Sequence, residues 1–494
     1  MHKTQPVYRS EGVTASERYL HRLCNHSFLS LWSYPHVFRA PGKELTDLLV
    51  VFDNDIIIFS DKNYSFPQVD DLTVAWKRWY RKTVEHSANQ IWGAERWIRA
   101  YPDRVYLDPA ATQRLPIEFP DLSTAQIHRV AVARGASVPC QLLLGGSGSL
   151  MLTNEVSDEC TPFMIGPFDS EKGYIHVFDD TSLDVLMGTL DTISDFVSYL
   201  TRKEILFTSN LTVWAAGEEE LLGLYLSKID NNNRHFFFKP SEIRKFNAIS
   251  IPEGHWEKFK NSPQRAAQLE ADKVSYVWDG LIEQFNKHLM DGTQYFVSNR
   301  DVSELEKANR SLARESRFRR RMLGKSLIEL MKKTPPNSRS ARVVTPTHAD
   351  EPYYVFVLLP HLPEELYDDY RIVRRNLLEM YCMVVKSDFT DAKEIIGIAT
   401  EPGLSMGRSE DLLYLDVREW TKEQNLEAKQ IKQKFGLLTQ KIPFTRREFE
   451  YPTSDQEHLR VRAFPKPSRN ARCFCGSGKK YKYCCGRGIQ KTSN

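Results

Sequence analysis

At 494 residues the chain is too long for one hydrophobic core, so two or three domains are expected. Apolar content of 41% and charged content of 27% are ordinary for a soluble protein, and no run of eighteen apolar residues is present to span a bilayer. The net charge of +3 hides an asymmetry: His458–Asn494 carries ten Lys and Arg and no Asp or Glu, so this tail is +10 and the rest −7, which points to an anionic partner, nucleic acid first. Met1–Ser10 is polar and lacks the apolar core of a signal peptide, so a cytoplasmic location is expected.

Residues 1–40 read as a helix and a lead-in strand. Thr14-Ala15-Ser16-Glu17 has the pattern of a capped helix start, followed by apolar positions at Tyr19, Leu20 and Leu23. Gly42–Lys62 reads as a tight hairpin of two buried strands, Leu48–Phe52 and Ile56–Phe59, with turn chemistry at Asp53-Asn54-Asp55. Val74–Ala100 reads as a helix pair or one long helix on the sheet, its tryptophans belonging to the core. Ile127–Ala133, Gln141–Leu144 and Tyr174–Phe178 read as strands, and Ser182–Thr201 as an amphipathic helix. Gly145–Ser149 lacks the Gly-Lys-Ser/Thr ending of a phosphate loop and reads as a flexible turn. A first domain over 1–237 is expected, then a helical, basic region over 238–343.

That region centres on Val302–Lys333, where Arg310 to Lys333 includes nine basic residues. Arg319, Arg320 and Arg321 stand together and suit nucleic-acid backbone contact, or a solvated face balanced by Glu304, Glu306 and Glu315. Thr334–Ser338 reads as a linker. A small α+β domain over 344–455 follows, with strands Tyr353–Leu359, Glu394–Ala399 and Leu412–Val417 and helices Glu364–Val384 and Arg418–Leu437 on one face.

Two groups of residues carry chemistry. In the hairpin, Asp47 opens the first strand and Asp61 and Lys62 close the second, so Glu44, Asp47, Asp61 and Lys62 are expected at one edge of the sheet. Carboxylates so placed can hold Mg²⁺ or Mn²⁺, and a lysine beside them can orient or deprotonate a water. Charged residues at strand ends are also ordinary solvated turn residues. The pattern resembles the PD-(D/E)xK nuclease superfamily, in which an acid opens one strand and a (D/E)-x-K triplet closes the next. Asp47 and Lys62 fill two slots. Ser60 stands in the third, with the carboxylate one place later at Asp61. The resemblance implies an assisting glutamate on the preceding helix, matched by Glu17, and a glutamine on the following helix, matched by Gln90. It also implies a restriction-endonuclease-like mixed sheet flanked by helices, metal-dependent hydrolysis of DNA or RNA, and by fold-level analogy a place in restriction or phage defence in a prokaryote.

The second group is Cys473, Cys475, Cys484 and Cys485. Four thiolates with eight residues between the pairs suit one tetrahedral Zn²⁺, which would supply the folding free energy of so short a segment. A disulfide framework would need an oxidising compartment. Cys24, Cys140, Cys160 and Cys382 are scattered and read as buried thiols. Arg469–Gly486, within a module expected over 465–490, is similar, nearly residue for residue, to the SEC-C zinc motif, named for the carboxyl terminus of the bacterial preprotein translocase ATPase. The resemblance implies an interaction module for a chaperone or ribosome, and Arg472, Lys479, Lys480 and Lys482 would suit RNA. Two functions follow. One is a Mg²⁺-dependent nuclease with a zinc tether. The other is a non-catalytic adaptor whose nuclease-like domain is dead because of Ser60.

Overall fold

A computed structural model describes residues 14–28, 31–155, 161–291, 302–349, 351–362, 364–403, 408–439 and 448–452. The chain divides into two compact units, Gln5–Gln268 with Tyr451–Asn494, and Leu269–Glu450 with Met1–Thr4. The boundary lies inside one helix (Pro263–Asp272), not at the expected 237/238.

The first unit opens with α1 (Ala15–Phe28), β1 (Ser33–Ala40), β2 (Lys43–Phe52) and β3 (Asp55–Asn63). Phe52 pairs with Asp55, so the hairpin loop is only Asp53-Asn54, and Asp53 takes the left-handed backbone (φ 56°) that aspartate tolerates. α2 (Leu72–Tyr80) starts on an Asp71 cap and continues through a π-helical turn at Arg81–Glu85 into α3 (His86–Ala100). The long helical segment is thus one rod with a bulge. β4 (Gln126–Arg134) and, later, β7 (Ile175–Phe178) complete a five-stranded sheet in the order β1-β2-β3-β4-β7, antiparallel through β3 and parallel from β3 onward. Leu48–Phe52 and Ile56–Phe59 are buried throughout, because α1 packs on one face of the sheet and α3 on the other.

Between β4 and β7 lie α4 (Ser137–Leu144), β5 (Met151–Thr153) and β6 (Met164–Ile165). The strand expected at Gln141–Leu144 is the end of α4. Leu142, Leu143 and Leu144 face solvent, and Gly145 ends the helix at φ +80°. The helix expected over Ser182–Thr201 is two, α5 (Asp180–Thr189) and α6 (Ile193–Phe207), because Thr192 caps a new start. β8 (Thr212–Ala215), α7 (Glu218–Leu226), α8 (Pro240–Ile243), β9 (Ala248–Ile251), α9 (His255–Lys260) and α10 (Pro263–Asp272) follow, with a second sheet ordered β6-β5-β8-β9.

The second unit contains α11 (Tyr276–Asp291), α12 (Val302–Ala313), α13 (Arg317–Lys333), β10 (Ser340–Val344), β11 (Tyr353–Leu358), α14 (Tyr367–Asp388), β12 (Glu394–Thr400), β13 (Asp411–Asp416) and α15 (Lys422–Phe435). Its sheet runs β10-β11-β12-β13, with β11 and β12 parallel. The two helices expected on one face, α14 and α15, do share one core, and α11 covers the other face. Tyr353, Val355 and Val357 join the core under α14, while Trp278 of α11 packs edge-on against Tyr354 and Phe356. β11 is buried on both faces, as a parallel-paired interior strand requires. Segments 238–343 and 344–455, expected as separate domains, therefore share this unit from Leu269 on.

Candidate functional site

The site expected at the hairpin end forms around Asp47, which is 5% exposed on β2. Its Oδ2 accepts from the Asp61 backbone N–H (2.6 Å) and from the Lys62 ammonium (3.0 Å), and its Oδ1 accepts from the Gln90 side chain on α3 (3.3 Å). Ser60 faces the same helix and donates to the Gln90 Oε1 (3.1 Å) or the Ser87 hydroxyl (3.2 Å). Strand alternation explains the grouping: Ser60 and Lys62 leave β3 on one side, toward α3. Lys62 keeps 26% of its side chain exposed, so its ammonium meets solvent while touching Asp47.

Asp61 goes to the other side. Its Oδ1 accepts from Arg134 Nε (3.0 Å) at the end of β4, and that guanidinium lies over the ring of Tyr19 on α1. Its Oδ2 is buried with no hydrogen-bond partner among the described residues. Burial pushes the Asp61 carboxyl up to about 6, against the pull of Arg134. Asp61 was expected beside Asp47 at one edge of the sheet; the ladder runs unbroken through Ser60, so its carboxylate follows the alternation to the other face and is held by an arginine. Asp47 and Asp61 therefore do not present a joint oxygen shell to one magnesium ion.

Glu44 pairs with His36 (2.8 Å) on β1. Glu17 takes part in the cap of α1, accepting from the Thr14 N–H (3.3 Å) while its own N–H donates to the Thr14 hydroxyl (3.1 Å). The His36 imidazole is raised above its ordinary pKa first by Glu44, with Glu17 and Asp47 adding to the effect, so three acids from α1 and β2 bear on one end of the sheet.

The basic run is corrected outright. Arg319, Arg320 and Arg321 are 4%, 1% and 2% exposed and are used inside the second unit. Arg319 faces Glu351 (3.4 Å), Arg320 pairs with Asp279 (2.7 Å), and Arg321 pairs with Asp272 (3.0 Å). Guanidiniums so enclosed cannot reach a phosphate backbone. Lys479, Lys480 and Cys473, Cys475, Cys484 and Cys485 lie outside the described residues.

Residues 469–487 match the SEC-C motif. The chain is 51% identical over 47 residues to the protein translocase subunit SecA of Syntrophomonas wolfei, covering 10% of this chain and 6% of that one. It is 70% identical over 27 residues to SecA of Treponema denticola, covering 6% of this chain and 3% of that one. A protein of Serratia proteamaculans described as UPF0225 is 78% identical over 23 residues, covering 5% of this chain and 15% of that one. The chain thus spans less than a sixth of each of these relatives, and all three likenesses are short. No solved structure matches. The SEC-C motif is a zinc-binding motif, which supports structural zinc at the four tail cysteines.

Two features escaped the sequence reading. Glu218, Glu219 and Glu220 look like a solvated acidic run yet are all buried at the start of α7, where Glu218 pairs with the buried Lys203 and Glu220 accepts from the Gly254 and Trp256 N–H groups. His128, His176 and Glu204, far apart in sequence, meet beside β4 and β7. Burial pushes the His176 imidazole well below its ordinary pKa. No spacing rule links these three positions, so only the sheet order reveals them. No described helix is long and apolar enough to cross a membrane.

Proposed function

We propose that the first unit is a divalent-cation-dependent phosphodiester hydrolase of the nuclease type, with the SEC-C segment as a zinc-bearing tether. One observation carries the reading: the Asp47 carboxylate is held between the Lys62 ammonium (3.0 Å) and Gln90 (3.3 Å) at the end of the hairpin. The helix before the hairpin brings Glu17, and the helix after it brings Gln90, in the order the superfamily resemblance implies. A bound Mg²⁺ or Mn²⁺ would supply Lewis acidity at the scissile phosphate, with Asp47 as its oxygen donor and Glu17 or Glu44, which bear on His36 at the same end of the sheet, assisting. Lys62 orients the attacking water and steadies the negative charge that develops. Ser60 and Gln90 fix the Asp47 carboxylate, and Arg134 keeps Asp61 out of the reaction.

The alternative, a non-catalytic adaptor, is favoured by one feature: Ser60 stands where the superfamily has an acid, and the neighbouring Asp61 is taken by Arg134. One experiment separates them. Linear and circular DNA and RNA are incubated with the full chain and Mg²⁺, Mn²⁺ or EDTA. Cleavage that needs the cation, is lost in Asp47→Ala and Lys62→Ala, and survives in Asp61→Asn supports the hydrolase. Absence of cleavage, or cleavage indifferent to Asp47→Ala and Lys62→Ala, replaces it with the adaptor.

A further inference from the structure

His128 on β4 and His176 on β7 lie on the same face of the five-stranded sheet, since His176 is in register with Val130 and side chains two apart on a strand share a face. α6 covers this face and brings Glu204. One ligand atom from each of the three lies within 4.8 Å of the others. His128 is 2% exposed and His176 0%. Both ring nitrogens of His176, and Nδ1 of His128, are buried with no hydrogen-bond partner among the described residues. A buried imidazole with both nitrogens unsatisfied forfeits the hydrogen bonds it made to water, so a native fold that keeps one calls for a ligand.

The other nitrogen of His128 supplies direction. Nε2 lies 2.8 Å from Asp55 Oδ1 at the start of β3. A carboxylate there takes the Nε2–H and leaves Nδ1 as the lone pair free to serve as a ligand, which is the arrangement that orients imidazole ligands on metals. Glu204 is half-buried, so the third ligand is nearer solvent than the two imidazoles. Two cations bear on His176, Lys203 and Arg129. Each is already neutralised, Lys203 by Glu218 and Arg129 by Glu95 (2.6 Å).

We propose that His128, His176 and Glu204 bind one first-row divalent transition-metal ion, with Zn²⁺ as the ion to test first and Asp55 as the positioning residue. Two imidazoles and one carboxylate suit zinc and its neighbours and leave a coordination position for water, whereas Mg²⁺ and Ca²⁺ take oxygen donors. Ligands about 2.0–2.2 Å from one ion stand no more than about 4.4 Å apart, so loading draws the group in by a few tenths of an ångström, within reach of a Glu204 rotation. The site is independent of the Asp47 cluster. His128 is in register with Ile57, five residues from Lys62 along β3, or about 16 Å, and it lies on the opposite face from Lys62.

The test uses the full chain carrying Cys484→Ser and Cys485→Ser, which removes the tail's zinc. After chelation and dialysis, zinc content is measured by mass spectrometry, and titration with Co²⁺ is followed by calorimetry and visible absorption. One equivalent should bind, weakened at least 100-fold by His176→Ala, at least tenfold by Glu204→Gln, and about 10–100-fold by Asp55→Asn. Glu204 is half-buried, so Glu204→Gln decides the matter if His176→Ala fails to fold. Absence of the equivalent, or an affinity unchanged by Glu204→Gln, overturns the assignment.

Discussion

Arg320→Leu tests whether the basic helix α13 is built for its own unit or for nucleic acid. Its guanidinium donates from Nε to the Glu315 carbonyl (2.9 Å), from one terminal nitrogen to Asp279 (2.7 Å), and from the other to the Ala313 carbonyl (2.7 Å). Removing one partner of a buried ion pair costs about 3–5 kcal/mol. Asp279 keeps Arg317 at 2.7 Å, which places this loss near the lower bound. Two carbonyls around the end of α12 lose donors as well, at about 1 kcal/mol or more each. The sum is roughly 5 kcal/mol, and at about 2–4 °C per kcal/mol for a unit of this size the melting transition should fall by roughly 10 °C or more. Scanning calorimetry reads that shift, and fluorescence anisotropy with labelled DNA over a salt series reads affinity. A phosphate contact would give the reverse pattern: unchanged melting, and a log–log salt slope lower by about 0.9. That outcome would refute the structural role argued for Arg320.

Asp61 should make stability fall with rising pH. Its folded pKa of about 6 lies above the ordinary 3.8, so its favourable contribution is complete below about pH 4 and is lost as pH rises through 6. The difference is worth about 3 kcal/mol, and the stability of Asp61→Asn relative to the natural chain should improve by that amount between pH 4 and 7.5 in denaturant titrations. A flat difference would contradict the buried, Arg134-held carboxylate. Gly135 follows Arg134 at φ +102°, and a Cβ there would stand 2.3 Å from the Tyr64 carbonyl oxygen. Gly135→Ala should cost about 2 kcal/mol or more and reduce cleavage with it; unchanged melting would show that the close approach relaxes freely. Cys484→Ser with Cys485→Ser should remove one zinc per chain and leave both units folded, and full zinc retention would exclude the tail cysteines as ligands.

The hairpin was legible because its signals are local. Two β-branched runs around a two-residue turn force Asp47 and Lys62 to one end, and the structure places them 3.0 Å apart. Gln90 needed the helix after the hairpin to lie on the Lys62 side, which the period of β3 and the packing of α3 settle together. The same period sends Asp61 away from Asp47. A carboxylate one place out of the pattern looks rescued by a bulge when only the sequence is read, but a strand paired with β4 from Asp55 to Asn63 has no slack for one. The α13 arginines misled for a different reason. Charge density along a sequence says nothing about counter-charges from other helices, and Asp272, Asp279 and Glu351 come from elsewhere in the second unit.

By itself the sequence determined the SEC-C segment, the α+β class, the hairpin and the buried scattered thiols Cys24, Cys140 and Cys382. Each rests on a contiguous stretch whose spacing or apolarity is its own evidence. Tertiary structure alone decided which charges are free to act. The fate of a charged side chain depends on what the fold packs against it, and burial makes an uncompensated charge too costly to leave without a partner. Arg134 therefore takes Asp61, aspartates and Glu351 take the arginines of α13, and the parallel pairing of β4 with β7 brings two histidines to one glutamate.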